Sequence, residues 1–206
     1  YDAPEFSLKE ALCCPTYWLL LVGTMFRQIA KAPIQVHIVA ILHWKGLDVA
    51  TASLVFAFWL GMNVPSKLFF GFIGDRVPKQ VSLGGGMVLY AVSMLVLIYG
   101  NSLSIFLAAA FLGGLAEGIT PINWGAIGDY FGRNYFATLR GIINLSHSWA
   151  LVGLPWAAGW WFDHYNSYTA IIWISLGSAL VSALFYLFMR QPSLPARLSD
   201  ELNSGP

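Results

Sequence analysis

A charged group inside a lipid bilayer costs ~2.5 kcal/mol or more, so a charge within a long apolar stretch marks a place where chemistry is expected. Thr24, Arg27, Gln28, Lys31 and Gln35 recur at helical spacing inside one such stretch. At ~100° per residue they fall within an arc of about 100°. Arg27 lies ~10 residues, or ~15 Å, into the stretch, close to the middle of a bilayer. Turned to lipid, this stripe would be prohibitively unfavourable, so it is expected to face other helices or a water-filled cavity. Two fixed positive charges there favour an anion, and the arginine fork can grip a carboxylate through two parallel hydrogen bonds. The competing reading is a purely structural stripe. Glu117 is the sole acid deep in any apolar stretch. It is expected to couple a proton or to pair with Arg27 or Lys31. Lys67 adds a cation near the end of a second stretch, where the competing role is reaching for the membrane surface. His147, flanked by Asn144, Ser146 and Ser148, could bind an anion when protonated or carry a proton. Its competing role is a hydrogen-bonded packing histidine.

The elements that must position these residues are membrane helices. Apolar residues make up 57% of the 206 residues and charged residues 10%, against ~25% charged in soluble domains. The surface as well as the core must therefore be apolar, and lipid is the solvent. Six stretches are long enough to cross a bilayer at ~20 residues each: 16–42, 49–74, 81–100, 103–128, 138–162 and 167–189. Six strands could not close a membrane barrel. The fold class expected is an all-α membrane protein of six transmembrane helices. Residues 1–15 form a polar lead-in, with Ser7 and Glu10 as a capping box, 16–189 the bundle, and 190–206 a disordered tail. Gly114 and Gly118 form a GxxxG pair that lets helix backbones approach closely. Pro33, Pro65, Pro121 and Pro155 each fall inside a span, where they bend a helix without necessarily breaking it. The third and sixth spans read as plain lipid-facing support.

With six spans the two termini share a side. Lys9, Arg76, Lys79, Arg133, Arg140, Arg190 and Arg197 fall on that side, and Lys45 on the other. The positive-inside rule then places both termini in the cytoplasm, in a plasma or inner membrane. Trp18, Trp44, Trp160, Trp161, Tyr165 and Tyr168 sit near the expected interfaces. The chain begins at Tyr1, without a signal-peptide pattern, and reads as a piece of a longer protein.

Two loops on the positive side carry a shared pattern. The first reads Gly71-Phe72-Ile73-Gly74-Asp75-Arg76-Val77-Pro78-Lys79-Gln80-Val81-Ser82-Leu83; the second repeats its Gly, Ile, Gly, Asp spacing as Gly125, Ile127, Gly128 and Asp129, with Arg133 answering Lys79. In each loop an acid at a helix end is expected to pair with a loop base and tie helices together. Static glue and a lock that breaks as the bundle moves are both open readings. The first loop resembles the cytoplasmic signature of the major facilitator superfamily in Gly71, Asp75, Arg76, Lys79 and Leu83, with Pro78 and Gln80 departing from it. The chain resembles the C-terminal six-helix half, most similar to oxalate:formate antiporter and monocarboxylate transporter relatives, as the Gly-rich fourth span and Phe131-Gly132-Arg133 suggest. The resemblance implies a twelve-span transporter that moves a small organic anion, a monocarboxylate or dicarboxylate, between two halves by alternating access. It implies that Lys67 stands where relatives place a basic substrate contact, and His147 about where the antiporters place a lysine. The expected partners are the anionic substrate, the lipid bilayer and the missing N-terminal half.

Other classes fit less well. No Gly-x-Ser-Gly nucleophile pattern or His-Glu-x-x-His metal motif is present, and the connecting loops are short, so no enzyme, metal site or cofactor is expected. The net charge of +1 without a basic patch argues against nucleic acid. A non-transporting sensor on the same scaffold, or an exporter of another solute class, is the alternative. The adjacent Cys13 and Cys14 read as small apolar residues at a helix start, with acylation as the competing role.

Overall fold

The computed structural model describes residues 5–74 and 76–192. Asp75, Arg197 and most of the expected tail lie outside the described residues. Among these, the only regular secondary structure is helical. A short helix α1 (Leu8–Cys13) leads into α2 (Pro15–Trp44), and the Ser7–Glu10 capping box is formed at its start. The second rod is α3 (Val49–Gly61) followed by α4 (Asn63–Gly74). Then come α5 (Lys79–Tyr99), and a rod made of α6 (Leu103–Ala116), a 3-10 turn (Glu117–Ile119) and α7 (Thr120–Phe131). The last two are α8 (Phe136–Tyr165) and α9 (Thr169–Phe188). Four rods are long and apolar enough to cross a membrane by composition: Val49–Phe72, Lys79–Tyr99, Leu103–Phe131 and Thr169–Phe188. The other two, α2 and α8, have 30 residues each, or ~45 Å at 1.5 Å per residue. Their length is ample; their polar residues lower the mean hydropathy.

Proline explains the two interruptions. A proline at position i has no N–H for the carbonyl at i−4. Pro65 deprives Gly61, where α3 ends, and Pro121 deprives Glu117, where α6 gives way to the 3-10 turn. Pro33 and Pro155 sit inside helices that continue through them. The two interrupted rods lie against each other, backbone to backbone. A Cβ on Gly114 would stand 2.7 Å from the Trp59 carbonyl oxygen, and one on Gly118 2.4 Å from that of Ser66. The GxxxG pair thus forms the seam between the second and fourth rods.

The packing repeats itself. α2 packs on α8 and α9, as α6 packs on α3 and α5, while α5 and α9 meet each other. Exchanging the first three rods for the last three reproduces this pattern, as an internal two-fold repeat would. This arrangement corrects the reading of the third and sixth spans. α5 and α9 are not plain support, because each buries one face in the bundle. Ser175 donates to the Ala30 carbonyl at 2.6 Å and Ser182 to that of Gly23 at 2.7 Å. Tyr186 packs so closely on Gly23 that a Cβ there would lie 2.8 Å from its ring. Small serines at helical spacing let α9 approach α2, a face that mean apolarity conceals.

One end of the bundle gathers the basic loops. Phe6 packs edge-on to Phe131, the Phe6 amide donates to the Phe131 carbonyl at 3.1 Å, and Thr16 donates to the Arg190 carbonyl at 2.8 Å. At the other end Lys45 donates to the carbonyls of Ile98 and Gly100 at 2.8 and 3.2 Å, closing the C-terminus of α5. Burial there lowers the Lys45 pKa from its ordinary value. Asp48 caps α3 by accepting from the Thr51 amide at 2.9 Å.

Candidate functional site

The polar stripe of α2 meets the interrupted fourth rod. Because Pro121 offers no N–H, the Glu117 carbonyl accepts instead from the Thr120 amide and from the Thr120 hydroxyl, the latter at 2.8 Å. Thr120 Oγ1 in turn accepts from Arg27 Nη2 at 2.5 Å. The 3-10 turn directs the Glu117 side chain to the same face. Its Oε2 accepts from Lys31 Nζ at 2.5 Å and its Oε1 from Gln35 Nε2 at 3.3 Å. Arg27 Nη2 stands 4.0 Å from Oε2. Arg27, Lys31 and Glu117 are all buried, at 5%, 9% and 5% exposure. Burial on that scale requires pairing, and Lys31 and Glu117 provide it for each other. Arg27 is less satisfied: its buried Nε has no hydrogen-bond partner.

Deeper toward the basic end lies a second polar group. Asn123 Oδ1 accepts from Tyr186 at 2.7 Å and stands 3.2 Å from Thr24 Oγ1. Asn123 Nδ2 is buried without a partner.

The expected site residues therefore divide. Arg27, Lys31, Gln35 and Glu117 come together. Gln28 is half-buried on the same helix, with no side-chain hydrogen bond among the described residues. Lys67 is exposed on α4, outside the buried cluster, and acts on Lys31 through charge alone. His147 is half-buried, donates from Nδ1 to the Ile143 carbonyl at 2.8 Å, and lies 6.3 Å from the Trp124 ring, over which Arg140 sits at 4.8 Å. Sequence reasoning missed Thr120, Asn123, Tyr186 and His37. Thr120 and Asn123 follow Glu117 at intervals of three, which is the signal that could have found them. His37 donates from Nε2 to the Pro155 carbonyl at 2.9 Å and stands 3.3 Å from the Tyr168 hydroxyl, joining α2, α8 and the start of α9. Among the described residues no group of His, Cys, Asp and Glu could hold a metal ion.

At the basic end an ion pair crosses between the two loops. Lys79 of the first loop is ion-paired with Asp129 of the second. Among the described residues, the segments carrying the two loop arginines make further contacts. Arg76 lies over the Phe72 ring at 3.9 Å. Arg133 follows Gly132, whose φ of +84° ends α7. The amides of Arg133 and Asn134 donate to the Glu5 carboxylate at 3.2 and 3.1 Å, so the lead-in segment holds this turn. A cleft of about 480 Å³ opens beside the pair, lined by Gly74, Lys79, Asp129 and Arg190 among others. Gly71 has open space where a Cβ would stand.

Residues 16–203 match a family model described as Major Facilitator Superfamily. The chain belongs to the major facilitator superfamily. The superfamily fold is visible in a solved relative, the POT family transporter PepTSo in its in meso crystal structure. The TM-score is 0.73 at 16% sequence identity, over 83% of this chain and 36% of that one. An identity this low speaks for the fold alone, and the chain spans little more than a third of that transporter's length. A search of curated proteins gives no match. As a superfamily member the chain is an integral, multi-pass membrane protein, and its helices form part of a superfamily bundle.

Proposed function

We propose that this chain is the C-terminal six-helix half of a secondary transporter that moves a small organic anion by alternating access. One observation carries the reading. Arg27 is buried, makes one hydrogen bond to Thr120, and keeps an unpartnered Nε, while the neighbouring lysine already has its carboxylate. A guanidinium with spare donors in a dry site is suited to a carboxylate held by two parallel bonds. The oxalate:formate and monocarboxylate resemblance supports the same substrate class. Gln28 and His147 complete the site when the other half closes over it, with Lys67 at its water-facing edge, while the Lys79–Asp129 tie, with Gly71, Asp75, Arg76 and Arg133, forms the cytoplasmic gate. Both termini lie in the cytoplasm, where the basic loops gather.

The test uses the full-length transporter in proteoliposomes. Arg27→Gln is expected to abolish uptake of labelled lactate and oxalate while the protein still inserts and unfolds at its usual temperature. Undiminished uptake of either anion by this variant would overturn the site.

A further inference from the structure

We infer that Glu117 is a charge-number filter: by cancelling Lys31 it leaves the anion site one net positive charge and selects monoanions over dianions. The inference rests on the anion site proposed above. The buried set holds two cations and one carboxylate, all at least nine-tenths buried. Glu117 is placed there by the fold, because Pro121 interrupts the rod and the 3-10 turn faces its side chain to α2. Both of its oxygens are engaged, one by Lys31 and one by Gln35. Lys31 is thereby withdrawn from ligand binding, and Arg27 is the cation with a donor to spare. A monoanion docking on Arg27 brings the site to neutrality. A dianion of the same length leaves an uncompensated negative charge a few ångströms from Glu117, in a medium where like charges repel strongly. Lys67 is exposed on α4, outside this buried set, and acts on it only through a longer-range field that water weakens.

The experiment measures binding of butyrate and succinate, matched in length, to purified full-length protein at neutral pH by ligand-induced thermal shift. The parent is expected to favour butyrate by about tenfold or more, a ratio set by one unit of charge. Glu117→Gln raises the site to two positive charges and is expected to move the ratio toward succinate by about tenfold. Glu117→Asp is expected to keep the parent ratio. Should Glu117→Gln fail to fold with Lys31 unpaired, Lys31→Met/Glu117→Gln removes the pair together, a change that buried ion pairs often tolerate. It leaves Arg27 alone and is expected to hold the butyrate preference. A ratio that stays fixed in Glu117→Gln, that collapses in the double variant, or that follows Lys67→Gln instead would overturn the filter. Arg27→Gln separates the two ideas: loss of both anions keeps the site and leaves the filter to be judged by the ratios, whereas unaltered binding sinks both.

Discussion

Arg27 and Lys31 sit four residues apart on one helix face, yet their surroundings give them different roles. Lys31 is held by Glu117, and Arg27 reaches Thr120 with donors left over. The stripe itself was legible, because helical spacing fixes which residues share a face. The division of labour was not, since it depends on where Pro121 interrupts another helix. Lys67 and His147 show the opposite limit: residue type and depth suggested a site, and in this structure they reach the cluster only through longer-range charge interactions. The glycines give a cleaner residue-scale test. Gly118→Ala would set a Cβ 2.4 Å from the Ser66 backbone oxygen, and is expected to destabilise the protein by ~1–3 kcal/mol. Gly85→Ala meets nothing within 4 Å, and is expected to be neutral or to stabilise by ~0.5–1 kcal/mol. Thermal unfolding in detergent distinguishes them; equal effects would remove the tight seam.

Among the elements, all the expected spans appear as helical rods, but two are broken. Four prolines looked alike in the sequence, and Pro65 and Pro121 interrupt their rods while Pro33 and Pro155 do not. The residues next to each proline do not record which outcome follows. The lipid-facing reading of α5 and α9 failed because their buried stripes mix Gly, Ala and Ser with Leu, Met, Ile and Tyr, a composition that hydropathy barely distinguishes from a lipid face. Helix starts are more legible, as the Ser7–Glu10 capping box shows. At the start of α3 the hydrogen bond that Asp48 accepts from the Thr51 amide holds its pKa below the usual carboxylate range. A depressed folded pKa means that the cap's contribution is present above the ordinary carboxylate pKa and fades as pH falls through the lowered value. Amides 49–52 are therefore expected to exchange faster in Asp48→Ala near neutral pH, and in the parent only once the medium is acidic enough to protonate Asp48. Hydrogen exchange followed by mass spectrometry checks both; equal protection in parent and variant would deny the cap its role.

For the molecule as a whole, the superfamily was legible from one loop, whereas the ionic tie at the basic end was not. Sequence placed an acid and a base in each loop, and only the three-dimensional arrangement matches Lys79 to Asp129. Asp129 is half-exposed, so the pair is worth at most ~1 kcal/mol of stability. Its effect is expected instead in the balance between conformations. In the full-length protein, a cysteine at the open position Gly71 should react faster with a maleimide when Asp129→Asn is added. The exchanged pair Lys79→Asp/Asp129→Lys should return the rate toward the parent's; an unchanged rate in both would make the tie mere decoration. The seam between the second and fourth rods bears on how such motion could occur. With Gly114 and Gly118 pressed onto the carbonyls of Trp59 and Ser66, one rod cannot slide along the other without backbone atoms colliding. The two rods are therefore expected to move as one piece across this joint, so that any rearrangement of the bundle falls at looser boundaries elsewhere.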